Sequence, residues 1–294
     1  MSHSHHHHIT SGRAFAIGIG LNLAFVGVEV FYGLMANSSA LLADAGHNAS
    51  DVLGLFFAWG AFRLAGKKPN GKFTYGLQRS TILSSILNAV LLFIAVFFIA
   101  KDAIVKLENP EPVAGSSVMI VAGIGVVINT ITALLFMKGQ KHDLNIKGAF
   151  LHMAADAAVS LGVVVAGWLI NTTGLQWIDP AVSFVIIAVV LYGTWGLFVD
   201  SINLALDAVP KKIDIDEVRN SLNKYPGVED AHDLHVWALS TNKTAISVHL
   251  VVPEGGGDQF LAGVQGMLEK KFDISHATIQ VEQHTENDIE CNHI

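Results

Sequence analysis

Apolar residues come in six long runs, near residues 14–36, 40–64, 80–100, 114–137, 146–170 and 178–200, separated by short polar connections. About 20 mainly apolar residues suffice for a helix to cross a bilayer, so each run is predicted to be a transmembrane helix. From about residue 208 the pattern changes. "KIDIDEVRNSLNKY" opens on Asp214 with Glu217 three residues later, a capped helix start. "VEDAHDLHVWALS" and "KTAISVHLVVPE" alternate as strands do, and Pro253-Glu254-Gly255-Gly256-Gly257 ends the second. "QFLAGVQGMLEKKF" returns to helical spacing, and "HATIQVEQH" reads as a third strand. The predicted architecture is a bundle of six transmembrane helices followed by a small soluble α+β domain of order αββαβ. The expected limits are a His-rich N-terminus over 1–13, a membrane domain over 14–207, a regulatory and dimerisation domain over 208–286 and a tail over 287–294. A domain of roughly 80 residues is short for an independent core, so a partner copy is expected to add stability.

Composition agrees with a membrane chain: 51% of the 294 residues are hydrophobic and 15% charged, where a soluble domain carries roughly a quarter charged residues. A net charge of -7 argues against a nucleic-acid partner. Cys291 is the one cysteine, so no internal disulfide forms. "MSHSHHHH" lacks the pattern of a cleavable signal peptide; its five histidines are either native or a tag. Basic residues sort the connections. Arg13, Arg63, Lys67, Lys68, Lys72 and Arg79 lie on one side with Lys138, Lys141, Lys147, Lys211 and Lys212. The connections 36–40 and 171–178 have no Lys or Arg, and in 101–112 Lys101 and Lys106 stand among Asp102, Glu108 and Glu111. Both termini are therefore expected in the cytoplasm.

The second and fifth runs each contain a costly pair. In "LLADAGHNASDVLGLFFAWGAF" these are His47 and Asp51; in "FLHMAADAAVSLGVVVAGWLI" they are His152 and Asp156. Residues four apart share a helix face. An ionised carboxylate at mid-bilayer costs at least about 2.5–3.5 kcal/mol, so each pair calls for compensation. If the two faces meet, two imidazoles and two carboxylates form a tetrahedral set suited to Zn²⁺, and nitrogen ligands disfavour Ca²⁺ and Mg²⁺. The bland alternative is polar glue between helices. Two such pairs in separate runs favour a metal site, and its place in the membrane favours transport. The ligands must lose protons to bind metal, so metal and H⁺ compete for the same groups, as an exchanger requires. Glu29 and Asp44 are candidates for lining a pathway or relaying protons, and Asp44 equally for a place near the outer interface. Asn22, Asn48, Asn88 and Asn129 fit interhelical hydrogen bonds, and "GIGLN" and "GIGVVIN" fit close helix packing.

"SSALLADAGHNASDVLGL", "YGLQRSTILSSILNA", "NIKGAFLHMAADAAVSLGVV", "WIDPAVSF" and "AHDLHVWALS" together resemble the cation diffusion facilitator family, in particular its zinc-exporting subgroup. The likeness runs from about Ala14 to Glu282. It implies six transmembrane helices, a cytoplasmic metallochaperone-like domain, a homodimer and proton-driven export, with His47, Asp51, His152 and Asp156 as the transport site. In the family, His at the first position of the second-span motif goes with preference for zinc over cadmium. Two departures stand out. "KKPNGKFTYG" has no histidine where some bacterial members carry ligands, so no metal is expected there. "KGQKHDLNIK" has only His142 where many eukaryotic members have a long His-rich loop. The compact form implies a bacterial inner-membrane protein, in which a native His-rich N-terminus would collect zinc.

His276, Glu282 and His284 differ by even numbers along the third predicted strand and so share a face. Scattered surface histidines are the ordinary alternative. The resemblance implies a cytoplasmic metal site of His232, His249, His276 and Glu282, whereas another subgroup uses the positions of His284 and Glu286. His235, Cys291 and His293 are further candidates, and metal near the protomer boundary would stabilise a dimer. The leading expectation is thus a Zn²⁺/H⁺ antiporter. An intramembrane metalloenzyme would need an open coordination position and a motif such as His-Glu-x-x-His, which does not occur. A membrane metal sensor would suit the soluble histidines but leave the buried pairs unexplained.

Overall fold

The computed structural model describes residues 10–137 and 144–283. Six long helices come first: α1 (Thr10–Met35), α2 (Ser39–Ala65), α3 (Ser80–Glu108), α4 (Gly115–Met137), α5 (Leu144–Thr173) and α6 (Ile178–Ala205). Each apolar run lies on one of them. Four, α3 to α6, have stretches long and apolar enough to cross a membrane. The apolar part of α1 among the described residues is Asn22–Met35, and α2 is diluted by Asp44, His47, Asn48 and Asp51. Bulky apolar side chains such as Phe31, Phe56, Phe97 and Trp195 are exposed along the helices, as lipid contact requires. α3 runs past the predicted end of its apolar run, because Lys106 pairs with Asp102 one turn earlier at 2.8 Å and carries the helix on to Glu108.

The chain packs as two compact units. The described residues to Phe57 and those within 87–196 form the first. Its core joins Phe25 of α1, Leu41 of α2, Leu92 and Val96 of α3, Val118 of α4, Val163 of α5 and Ile186 of α6. Glycine sets how closely α4 and α5 approach: a Cβ on Gly167 would stand 2.8 Å from the Gly115 carbonyl oxygen, and one on Gly115 2.6 Å from that of Gly167. Backbone touches backbone there, the small-residue packing of membrane helices. In "GIGVVIN" it is Gly125 that admits a neighbour, the Phe25 ring, whereas Gly20 in "GIGLN" has nothing within 4 Å of a would-be Cβ.

Residues 58–86 and the described residues from 197 onward form the second unit. It contains the remaining ends of α2, α3 and α6 and the elements α7 (Ile215–Asn223), β1 (Asp230–Ser240), β2 (Lys243–Val251), α8 (Asp258–Phe272) and β3 (Ile274–Glu282). Asp214 caps α7 by accepting from the amides of Asp216 and Glu217 at 2.9 and 3.1 Å. The sheet order is β1-β2-β3. β1 and β2 are antiparallel neighbours joined by a tight turn, while β2 and β3 are parallel, as the α8 crossover permits. Val218, Leu222, Val264 and Leu268 from the helices close over Ile246, Val248 and Leu250. Among the described residues of 210–283 no large apolar side chain is left exposed. The small domain thus closes its own core more fully than its length leads one to expect. Arg79 pairs with Asp207, and the Thr241 amide donates to Thr81 Oγ1 at 3.1 Å, so the α3 end is tied to the sheet within this unit.

β1 is irregular. His232 pairs with His249 and His235 with Ser247, so three steps on β1 answer two on β2. The additional residue is absorbed as a bulge at Asp233, whose φ of 48° lies in the left-handed region that Asp tolerates better than most.

Candidate metal centre

In the first unit the two His-x-x-x-Asp faces meet. Each imidazole lies closer to the carboxylate of the other helix than to its own. His47 Nε2 is 3.1 Å from Asp156 Oδ1 and 4.0 Å from Asp51 Oδ2. His152 Nε2 is 3.1 Å from Asp51 Oδ2 and 3.7 Å from Asp156 Oδ2. Ligand atoms of His47, Asp51 and Asp156 lie within 4.8 Å of one another, and His152 Nε2 approaches both carboxylates. The imidazole rings meet edge to face, 6.1 Å apart. In a tetrahedron with metal–ligand bonds of about 2.0–2.1 Å, ligand atoms are about 3.3 Å apart, and the four approaches bracket that value. Asp156 is buried, Asp51 and His47 are partly so, and His152 is the most exposed of the set. The group is thus closed on one side and open on another.

Glu29 and Asp44 are both fully buried in the same unit. Asn48 Nδ2 donates to Glu29 Oε2 at 3.0 Å, and Ser160 Oγ donates to Asp44 Oδ2 at 2.8 Å. Asn48 was legible as an interhelical hydrogen bonder; Ser160 lies four residues beyond Asp156 in a run of small residues and gives no such signal.

A second constellation lies on one face of the soluble sheet. His232 and His249 are direct cross-strand partners with rings 5.4 Å apart. Glu282 of β3 comes beside them because it pairs with Val251 of β2, two residues beyond His249. Its Oε2 is 3.3 Å from His232 Nε2 and its Oε1 is 3.0 Å from His249 Nδ1. The buried Nδ1 atoms of both histidines lack an aligned hydrogen bond. Two aspartates that the sequence did not single out complete the surroundings. Asp230 Oδ2 is 3.4 Å from His232 Nδ1, and Asp233 Oδ2 is 3.4 Å from His249 Nε2. His235, largely exposed, pairs with Asp233 at 3.0 Å. His276 is not brought to this group. It pairs with Ala245 in the register and packs its ring on Tyr75, 5.4 Å between centroids. It shares a face with Glu282, but six strand residues separate them by roughly 20 Å. His284, Glu286, Cys291 and His293, like His142 and the N-terminal histidines, lie outside the described residues.

The chain matches two family models, the cation efflux transmembrane domain over residues 15–204 and the cation efflux protein cytoplasmic domain over residues 210–284. Among curated proteins it is similar to the cation efflux system protein CzcD of Alcaligenes sp. (strain CT14), 36% identical over 282 residues, covering 95% of this chain and 89% of the relative. The cadmium, cobalt and zinc/H(+)-K(+) antiporter of Bacillus subtilis is 33% identical over 293 residues, with 98% and 94% covered. The zinc transporter ZitB of Escherichia coli is 33% identical over 291 residues, with 96% and 93% covered.

Proposed function

Since the chain belongs to the cation efflux family of membrane transporters, the cation diffusion facilitators, we propose that it exports Zn²⁺ from the cytoplasm in exchange for H⁺. The cargo site is His47, Asp51, His152 and Asp156. The observation that carries this reading is the crossed pairing, in which each imidazole faces the partner helix's carboxylate at 3.1 Å. Four ligand atoms drawn from two helices suit one tetrahedral cation, and two neutral imidazoles with two carboxylates exactly balance no charge but that of a divalent ion. The relatives named for zinc, and for cadmium and cobalt, support the same class of cargo.

In this reading all six long helices cross the bilayer of a bacterial cell, as a membrane domain over 14–207 with both termini in the cytoplasm. Zinc enters the site from the cytoplasm; an outward-facing state takes up protons and releases it. His152, the exposed member, marks the side on which the site opens. The domain over 208–286 serves as a regulatory and dimerisation module of a homodimer. Its metal ligands are His232, His249 and Glu282, with His276 left out by its distance along β3. Zinc there would stabilise whichever assembly completes its shell.

Proteoliposomes test the proposal. Zinc uptake accompanied by counter-moving protons supports exchange. Saturable zinc binding with no uptake would instead make the protein a metal sensor.

A further inference from the structure

The buried acidic pair of the first unit has a hydrogen-bonding deficit that the cargo site does not explain. Glu29 and Asp44 are both 0% exposed. One oxygen of each carboxyl is supplied with a donor, from Asn48 and Ser160 respectively. The other two, Glu29 Oε1 and Asp44 Oδ1, are buried and receive no donor. Asn48, which donates to Glu29, stands one turn from Asp44 on the same face of α2, so the two carboxyls are neighbours in the packing. A carboxylate only accepts, so two ionised groups closed off from the surface would set acceptor against acceptor. One proton between them resolves the conflict: one group donates, the other accepts, and the pair carries a single charge instead of two. A metal ion fits less well, because Asn48 and Ser160 both turn donors, not lone pairs, toward the carboxyls.

The geometry points to a proton-binding site here, separate from the four cargo ligands: Glu29 and Asp44 hold one proton between them in the metal-free protein and release it when the cargo binds. The coupling rests on the exchange reading above. Asp44 lies one turn from His47 on α2, and Ser160 one turn from Asp156 on α5. Among the described residues α4, which packs on α1 and α5, has no titratable side chain, and from Asn22 onward α1 contributes Glu29 and, on its exposed surface, Tyr32. His47 and Asp156 are therefore the charged groups that face the pair from α2 and α5. A divalent cation among them adds positive charge about one helical turn away, which favours the deprotonated pair. The O–H bond between the two carboxyls breaks, the proton passes to solvent, and two carboxylates remain beside the cation.

Infrared difference spectroscopy on the full-length protein, with zinc as the probe, reads this directly. The metal-free wild type should show the carbonyl stretch of a protonated carboxylic acid, shifted in deuterium oxide and lost on zinc addition. Glu29→Gln and Asp44→Asn should each lack the band, since an amide N–H then does the work of the shared proton. Calorimetry in buffers of different ionisation enthalpy should show proton release per zinc lower by roughly one in either variant. A zinc-sensitive band that persists in both variants, no band at all, or unchanged proton release would overturn the assignment. The two readings fail separately. Wild-type liposomes that exchange zinc for protons without a zinc-sensitive band refute the pair and leave exchange standing. A band lost on zinc binding in protein that moves no protons across the membrane supports the pair and refutes exchange.

Discussion

Asp179 Oδ2 accepts the backbone N–H of Ser39 at 2.6 Å, so a carboxylate on α6 caps the first turn of α2. The same oxygen lies 3.4 Å from the Ala40 amide, and Oδ1 accepts from the Ser38 hydroxyl, which in turn receives the Leu41 amide at 3.1 Å. Three free N–H groups of a helix start thus find partners, and a negative charge meets the positive end of the helix. Lys106 of α3 closes the same corner, donating to the Asn37 carbonyl and to Ser39 Oγ, both at 3.1 Å. Asp179→Ala would leave these buried donors unpaired and should lower stability by about 2–3 kcal/mol. Thermal unfolding in detergent checks this, with Asp179→Asn expected to fall between the two.

Asp156→Ala should abolish zinc transport while the protein still assembles normally. Asp156 is the most buried of the four convergent side chains and touches both imidazoles. Uptake near the wild-type rate at normal protein levels would defeat the four-ligand proposal.

His47→Asp should keep transport and admit cadmium more readily. The change retains four ligands but replaces a nitrogen donor with an oxygen and alters the geometry of the set. The measurement is competition between the two metals for uptake; an unchanged preference would place selectivity elsewhere.

For the soluble domain, His249→Ala should weaken zinc binding at the sheet face by about tenfold or more, leaving the fold intact. His276→Ala should leave affinity at that face unchanged, because its ring packs on Tyr75 instead. Titration of protein in which the membrane ligands are already substituted isolates the effect.

Two glycines on α5 should respond with opposite sign. Gly167→Ala drives a methyl against the Gly115 carbonyl and the Met119 backbone, neither of which can swing aside, and should cost about 1–3 kcal/mol. At Gly162 a Cβ meets nothing within 4 Å, so Gly162→Ala should be neutral or stabilising by up to about 1 kcal/mol. Melting temperatures of the two variants decide the matter.

The six long helices were legible because an apolar run of membrane length has few other uses, and the His-Asp pairs because spacing alone puts them on one face. What spacing could not convey was partner choice: nothing in either run says that His47 sits nearer Asp156 than Asp51. Even spacing puts His276 and Glu282 on one face of β3, yet a shared face says nothing about distance along it, which is why His276 stands apart from Glu282. That Asp179 on α6 caps the start of α2 is a tertiary fact, which no local pattern conveys. The domain order αββαβ followed from alternation and turn residues, but the bulge in β1 did not, since an inserted residue interrupts the very period used to find a strand.

That bulge decides how an ion would reach the sheet. In an unbroken strand His232 and His235, three residues apart, would face opposite ways. The additional residue turns both to the same side and swings Asp233 between His235 and His249. Side-chain exposure then falls from 64% at His235 to 35% at Asp233 and 22% at His249, with Glu282 at 26% beside it. Were the proposed site to take a cation, these side chains would line a graded path from a solvent-facing imidazole, past a carboxylate, to His232, His249 and Glu282. Under that proposal desolvation would come in small steps in place of a single high one, on a gradient built by one residue more than the strand needs.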